Sequence, residues 1–399
     1  MTYEKIILHK GKEISLQRHH PWVFSGAIKI KDANLKDGEL VEIFSATNQF
    51  LGMGHFQNSS ISVRIISFTQ TEINDEFWFN KISKAYNYRI HLNILNETTN
   101  VCRLVFGEGD GLPGLIMDYY NGHIVFQAHS IGMHLSKGAI VKALQKTLGD
   151  KLISVYDKSA DSLPKNYVAE IKNGYLYNPK NISSTDSGKR ITVKENTCKF
   201  NIDWEGGQKT GFFVDQRDNR ALLGKYSKDK MVLNTFCYTG GFSVYAAKAG
   251  AKAVHSVDSS KKAIALTDKN IELNNIQNHK SFAEDTFDFL KGKENIYDVI
   301  ILDPPAFAKH QNVKHNAVQG YKRLNEAAIR KIKPNGILFT YSCSQVIDRK
   351  LFYNTVMAAA ILAGRNIRVM HHLSQPADHP VNIFHPEGEY LKGLVLYVE

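Results

Sequence analysis

From about residue 190 onward, short and strongly apolar runs alternate with helical stretches: "KMVLNTF", "AVHSVD", "DVIILD", "GILFTYS", then "NIRVMHHL" and "KGLVLYVE". Strand–helix alternation predicts a parallel, doubly wound α/β sheet, with ligands outside the carboxyl ends of its strands. The last two runs follow one another like a hairpin. They predict an antiparallel strand at one edge of that sheet.

The chain of 399 residues is too long for one ordinary domain. Residues 1–72 carry Val, Ile and Phe at period two between Gly and Asn/Ser breaks ("VFSGAIKI", "GELVEIFS", "FLGMGHF", "SISVRIIS"), which predicts a small β-barrel. Its "QRHHPWVFSG" loop sets two histidines beside Trp22, read either as an exposed ring or as a core residue at a turn. Over 73–188 the period changes. Phe77, Trp78, Ile82, Ala85 and Tyr86 make one helical face behind an Asp75 start signal. Strands at "CRLVFGEGDGLPGLIMDYY" and "HIVFQAH", a helix through "SKGAIVKALQKTLG" and a strand "KLISVYD" complete a central α+β domain. The polar "NPKNISSTDSGKR" marks its boundary with the α/β domain of 189–399.

No apolar run reaches the roughly 20 residues that span a bilayer, and the first twenty residues lack a signal-peptide plan. A cytoplasmic location and no membrane partner are the expectations. Cys102, Cys198, Cys237 and Cys343 are scattered without a CxxC pair, which argues against a disulfide framework and a zinc site, so no metal is expected. A formal charge of +11, before counting 16 histidines, favours a polyanionic partner.

"VLNTFCYTGGFSVYAAKAGA" reads as a strand, a turn containing Gly240 and Gly241, and an Ala-rich helix. The glycines let backbone pass close to a ligand. The motif is not GxGxxG, so a dinucleotide loses its main support. About twenty residues on, Asp258 ends "AVHSVD", where an acid can accept from ribose hydroxyls. Asp285, in "SFAEDTFDFL", can accept from an adenine amino group. Each acid also reads as a helix N-cap.

The order of glycine turn, two acids and then Asp-Pro-Pro resembles the seven-stranded S-adenosylmethionine methyltransferases. More narrowly, the chain resembles the bacterial large-subunit rRNA methyltransferases that methylate cytosine C5 and carry an N-terminal PUA domain. The matching stretches are "HPWVFSGAI", "GEGDGLPGLIMD", "GGQKTGFFVDQRDNR", "NTFCYTGGFS", "LDPPAFAK", "YSCS", "ADHP" and "PEGEYLKG". This resemblance implies a PUA-like barrel, a central α+β domain and a seven-stranded catalytic sheet, with S-adenosyl-L-methionine as cofactor and structured 23S rRNA as partner. It assigns Lys209, Thr210, Phe213, Tyr238, Thr239 and Gly240 to the cofactor pocket, Asp258 to the ribose and Asp285 to the adenine, with Asp303 alongside. Gln208 and Arg217 are nearby candidates. Asn234 departs from the acid that many methyltransferases place there. Apart from the resemblance, "FFVDQRDNRALL" reads as a capped amphipathic helix with Asp215 and Arg217 on its wet face.

C5 of cytosine is a poor nucleophile, and a thiolate adding to C6 pushes electron density onto it. Cys343 stands at the end of "GILFTYSCS", on the same carboxyl edge as the Asp-Pro-Pro loop. A lone cysteine after an apolar strand also reads as a small core residue; the matching family position holds the nucleophile. Asp303 can bond to the N3 side of the ring as an acid, or position the amino group as a carboxylate. Pro304, Pro305 and Lys309 line the substrate side. Pro305 and Ala306 stand where many cytosine-C5 RNA enzymes carry a second cysteine. On the barrel, Arg18 and His20, with Lys10, Lys12 and His19, are candidate phosphate contacts. The alternatives are nitrogen methylation at guanine N7 or an exocyclic amine through the Asp-Pro-Pro loop, and a non-catalytic ribosome-assembly factor. The oligomeric state stays open, with a homodimer among the expectations.

Overall fold

The computed structural model describes residues 3–168, 171–181, 191–291, 296–307 and 313–399. It forms two compact units. One comprises Met1–Ile191, Ile202–Val214 and Ala377–Gly388; the other comprises Thr192–Asn201, Asp215–Pro376 and Glu389–Glu399.

The first unit opens with β1 (Glu4–Leu8), a short α1 (Ile14–Gln17), β2 (Trp22–Phe24), β3 (Ile28–Ile30), β4 (Leu40–Phe44), β5 (Phe50–Phe56) and β6 (Ile61–Ser67). They pair in the order β2-β6-β5-β4-β1-β3. The two outermost strands, β2 and β3, are joined by only Ser25–Ala27. So short a link curls the sheet toward closure, and the expected barrel follows. Ile6, Val23, Val41, Ile43, Val63 and Ile65 fill it.

Helix α2 (Asp75–His91) starts one residue earlier than its acidic signal suggests. Asn74 is the cap, its side chain accepting from Phe77 N–H at 3.0 Å. Trp78, Ile82 and Ala85 are buried. A meander of β7 (Val101–Phe106), β8 (Leu115–Tyr120) and β9 (His123–Ala128) leads through α3 (Ile131–Leu135) and α4 (Lys137–Leu148) to β10 (Ser154–Asp157), which pairs parallel to β9. β11 (Gly174–Tyr177) then adds antiparallel to β10.

In the later sequence, β12 (Ile191–Glu195) and β13 (Cys198–Ile202) form a hairpin whose two-residue turn, Asn196-Thr197, has φ of 47° and 70°. Two left-handed residues in succession are the type I′ geometry that matches strand twist. Then come α5 (Arg217–Lys225), β14 (Met231–Thr235), α6 (Gly241–Lys248), β15 (Ala253–Val257), α7 (Lys261–Leu273), β16 (His279–Phe282) and α8 (Thr286–Lys291). β17 (Tyr297–Leu302), α9 (Lys314–Lys331), β18 (Ile332–Ser342), α10 (Arg349–Ala363), β19 (Ile367–Leu373) and β20 (Lys392–Val398) complete the second unit.

Its seven-stranded sheet runs β16-β15-β14-β17-β18-β20-β19. The first five strands are parallel, and β20 lies antiparallel between β18 and β19. The expected hairpin-like pair is there, with β20 inserted one place inside the edge. Successive residues of each strand serve opposite faces. Val232, Val299 and Ile301 pack with Leu223, Phe242 and Ala246, whereas Leu233, Ile300 and Leu338 pack with Leu324, Ala328 and Phe352. Both faces are therefore covered, which is why these strands read as unbroken apolar runs. Strand order reverses at β14, so the crevice for a ligand opens there at the carboxyl ends.

Candidate active site

The turn after β14 exposes its backbone by adopting left-handed φ at Phe236 (53°), Tyr238 (47°) and Gly240 (75°). Gly240 needs to be glycine twice over, since a Cβ would also come within 2.7 Å of Thr267 Cγ2. Hydrogen bonds from the neighbouring strand and from α7 hold this strained turn. Cys237 N–H donates to Val257 O (3.1 Å) and Tyr238 N–H to Asp258 Oδ2 (3.0 Å). From α7, Thr267 Oγ1 donates to Tyr238 O and Asn270 Nδ2 to Thr239 O, both at 2.9 Å. Thr267 and Asn270 were not legible as site residues. The available signal was two polar residues, three apart, on the inward face of a helix.

Asp258 also accepts from Ser260 N–H through Oδ1 at 2.9 Å. A carboxylate has about four acceptor positions, so each oxygen retains acceptor capacity beyond these bonds. Asp285 is exposed, and its Oδ1 caps α8 by accepting from Phe287 N–H (2.8 Å) and Asp288 N–H (3.2 Å).

Asp303 follows β17 and is half-buried. Its Oδ2 accepts from Gln216 Nε2 at 3.0 Å, and Asn219 Nδ2 donates to Gln216 Oε1 at 2.6 Å, which turns the amide N–H group toward the carboxylate. Burial pushes the Asp303 carboxyl up to about 7, helped by the neighbouring charge of Asp215; Gln216 and Arg220 pull the other way. Asp215 itself accepts from Tyr390 Oη, while its buried Oδ1 has no hydrogen-bond partner in the protein. An orphaned carboxylate oxygen beside a second acid suits a cationic ligand group. The ammonium and sulfonium of S-adenosylmethionine fit that chemistry.

Arg217 overturns the wet-face reading. It is buried, and the exposed residue of that turn is Asp218, which accepts from Arg217 Nε at 3.2 Å. The phase of α5 explains this, because Arg217, Arg220 and Leu223 recur at helical spacing and all face inward.

Cys343 lies just past β18, the parallel neighbour of β17, which Asp303 follows; Leu302 pairs with Thr340. Of the four cysteines it is the one that is not fully buried. Burial pushes Cys237 up to about 12 and Cys198 up to about 11. Those thiols stay protonated, as expected of structural cysteines. Pro304 is buried and Pro305 exposed, while Phe307 packs on Tyr321 of α9 with ring centroids 4.6 Å apart. Lys309 lies outside the described residues.

Lys209, Thr210 and Phe213 belong to the first unit, within Ile202–Val214. Lys209 is exposed at φ 51°, Phe213 is half-buried, and buried Thr210 receives a hydrogen bond from Tyr120 Oη at 3.3 Å. Arg18 is exposed. His20 is half-buried; its Nδ1 accepts from Trp22 N–H (3.3 Å) and its Nε2 lies 3.5 Å from Glu387 Oε1. Trp22 is itself half-buried and donates from Nε1 to Glu108 at 2.8 Å, between the two sequence readings.

His20, buried His385 and Glu387 have ligand atoms within 4.8 Å of one another, the spacing of a metal site. The tautomer opposes it. With Nδ1 accepting, Nε2 carries the proton and points an N–H, not a lone pair, toward the carboxylate.

Comparison with known proteins agrees with this architecture. The family model described as "PUA-like domain" matches residues 6–68, and that described as "S-adenosylmethionine-dependent methyltransferase" matches residues 139–381. "Ribosomal RNA large subunit methyltransferase I" of Tolumonas auensis is 38% identical over 398 residues, 98% of each chain. Its namesake in Klebsiella pneumoniae (strain 342) is 35% identical over 403 residues, 99% of this chain and 98% of that one. Among solved structures, a candidate SAM-dependent methyltransferase from Streptococcus mutans superposes with a TM-score of 0.82 at 24% identity, covering 98% of this chain and 99% of its own. A further candidate methyltransferase, complexed with SAH, gives 0.83 at 24% identity with the same coverage. The class is that of the S-adenosylmethionine-dependent methyltransferases. Within it, the chain belongs to the ribosomal RNA large subunit methyltransferase I family.

Proposed function

We propose that this enzyme methylates C5 of a cytosine in large-subunit (23S) rRNA through a covalent adduct between Cys343 and C6 of the base. The rRNA target follows the name carried by its full-length relatives. The observation that carries the chemistry is the partly buried Cys343 just past β18, beside β17, which Asp303 follows. S-adenosylmethionine, when bound, supplies an electrophilic methyl group on a sulfonium.

The Cys343 thiolate forms a bond to C6, and the C5–C6 π pair becomes available at C5. After methyl transfer the C5 proton leaves to a base, and the returning electron pair expels the Cys343 sulfur. Asp303 suits the acid role at N3, because its raised affinity for a proton keeps a donor available near neutral pH. Donation to N3 makes C6 more electrophilic. Tyr238, Thr239, Gly240, Asp258 and Asp285 would hold the adenosine part, and Lys209, Thr210 and Phe213 are further candidate cofactor-binding residues. Pro304 and Pro305 would face the base, and Lys309 is a further candidate for binding the substrate. Exposed Arg18 would bind RNA phosphate, a contact that weakens with salt. His20 is engaged with Glu387 and is the weaker candidate of the two.

The test uses methyl-labelled S-adenosylmethionine and undermodified bacterial large-subunit rRNA, followed by nucleoside mass spectrometry. Labelled 5-methylcytidine is expected from the wild type, and none from Cys343→Ala. A labelled guanosine or N-methyl base, or a fully active Cys343→Ala, would return the Asp-Pro-Pro loop to nitrogen chemistry.

A further inference from the structure

Lys392 is an unusual residue for its surroundings. It opens β20 in a run of apolar residues, pairs in register with Ser342 on β18, and is buried. A lysine is almost never fully buried unless something pairs with it. Its Nζ donates to the main-chain oxygen of Ser344 at 2.7 Å. Lys392 therefore faces one end of the Ser342-Cys343-Ser344 turn through its strand register and grips the other through its ammonium.

The neighbouring charges are mostly committed elsewhere. Arg349 and Glu389 form an ion pair with each other. Asp348 caps α10 by accepting from Leu351 N–H at 2.8 Å. Burial draws the Lys392 ammonium down to about 8; the strongest opposing influence is Cys343 itself, with Glu389 and Asp348 acting the same way and the positive charge of Arg349 reinforcing burial. Tyr321 of α9 stands in the field of both Cys343 and Asp303. Opposite charges favour each other's ionised forms, so a thiolate at Cys343 and an ammonium at Lys392 are mutually supporting.

We propose that Lys392 is the positioning residue for Cys343: its ammonium fixes the carbonyl that follows the nucleophile and supplies the countercharge for the thiolate. The thiol proton leaves to water, and the ion pair remains in place of the neutral thiol. This inference rests on the nucleophilic reading of Cys343, and it explains how a thiol with an ordinary pKa near ~8.5 is made reactive at neutral pH.

The test measures alkylation of Cys343 by iodoacetamide in the full chain, without RNA or methyl donor, across pH 5.5–9.5. Peptide mass spectrometry isolates Cys343 from the three buried thiols. Lys392→Gln keeps an N–H donor for Ser344 O and removes the charge; Lys392→Arg keeps the charge. The Gln variant should raise the alkylation midpoint by a pH unit or more, which is about tenfold slower reaction at neutral pH, and Arg should hold the wild-type midpoint. An unchanged midpoint in Lys392→Gln would reduce Lys392 to a structural pin. Should the Gln variant melt early, the Arg variant decides: a midpoint at or below wild type supports the countercharge, and a rise of one unit overturns it. Because no methylation is read, failure here is separate from an active Cys343→Ala, which would instead remove the nucleophilic role.

Discussion

Asp303 sets a free-energy cost against its proposed role. An acid whose folded-state pKa lies above its unfolded value weakens folding as pH rises between the two, since the unfolded chain gives up its proton first. For Asp303 that window runs from 3.8 to about 7. Asp303→Asn is therefore expected to stabilise the second unit by up to about 4 kcal/mol at pH 8, with the gain shrinking toward pH 4. Paired denaturant titrations at the two pH values check this, and an equal effect at both would mean the carboxyl is not held protonated. At the residue scale, the strand-end placement of Asp258, Asp303 and Cys343 was legible because each follows an apolar run directly. Lys392 was not, because a lysine inside "YLKGLVLYV" reads as solvent-facing until the fold buries it.

At the scale of elements, the β12–β13 hairpin is held by side chains doing a strand's work. Asn270 Oδ1 accepts from Asn201 N–H, and Asn274 both accepts from Lys199 N–H (2.9 Å) and donates to Lys199 O (2.7 Å). Glu195 in β12 makes a buried two-pronged pair with Arg220 of α5, both bonds 2.8 Å, and accepts from Tyr245 Oη of α6 at 3.0 Å. Breaking one side of such a pair leaves an uncompensated charge. Glu195→Gln is expected to cost about 3 kcal/mol, measured by denaturant unfolding. A loss below about 1 kcal/mol would show that water reaches the pair. The sequence hid this hairpin, since its Asn-Thr turn lacks the glycine that usually announces type I′. Helix α2 and the sheet strands were readable because their apolar periodicity is uninterrupted.

At the scale of the whole molecule, the two units exchange the chain more than once. Ala377–Gly388 belongs to the first unit, where Arg89 Nη2 donates to Asp378 O at 2.7 Å and Asp378 Oδ2 accepts from Arg103 N–H at 3.0 Å. Asp378→Ala leaves the half-buried Arg103 N–H in β7 without that acceptor and is expected to cost about 1 kcal/mol. Hydrogen exchange should quicken at Val101–Phe106 ahead of the second unit's strands; uniform quickening would mean the segment is not specific to the first unit. The partition at 188 follows composition, and no composition reveals that a stretch some 275 residues downstream packs back on β7. For a chain that emerges from its N-terminus first, this threading has a temporal meaning. Domains generally fold as they are made, yet here the earliest part waits for residue 388 before its last contacts exist. A nascent chain stalled between the two units would present an unfinished first half, with Arg89 and Arg103 still lacking the strand of polypeptide that closes over them.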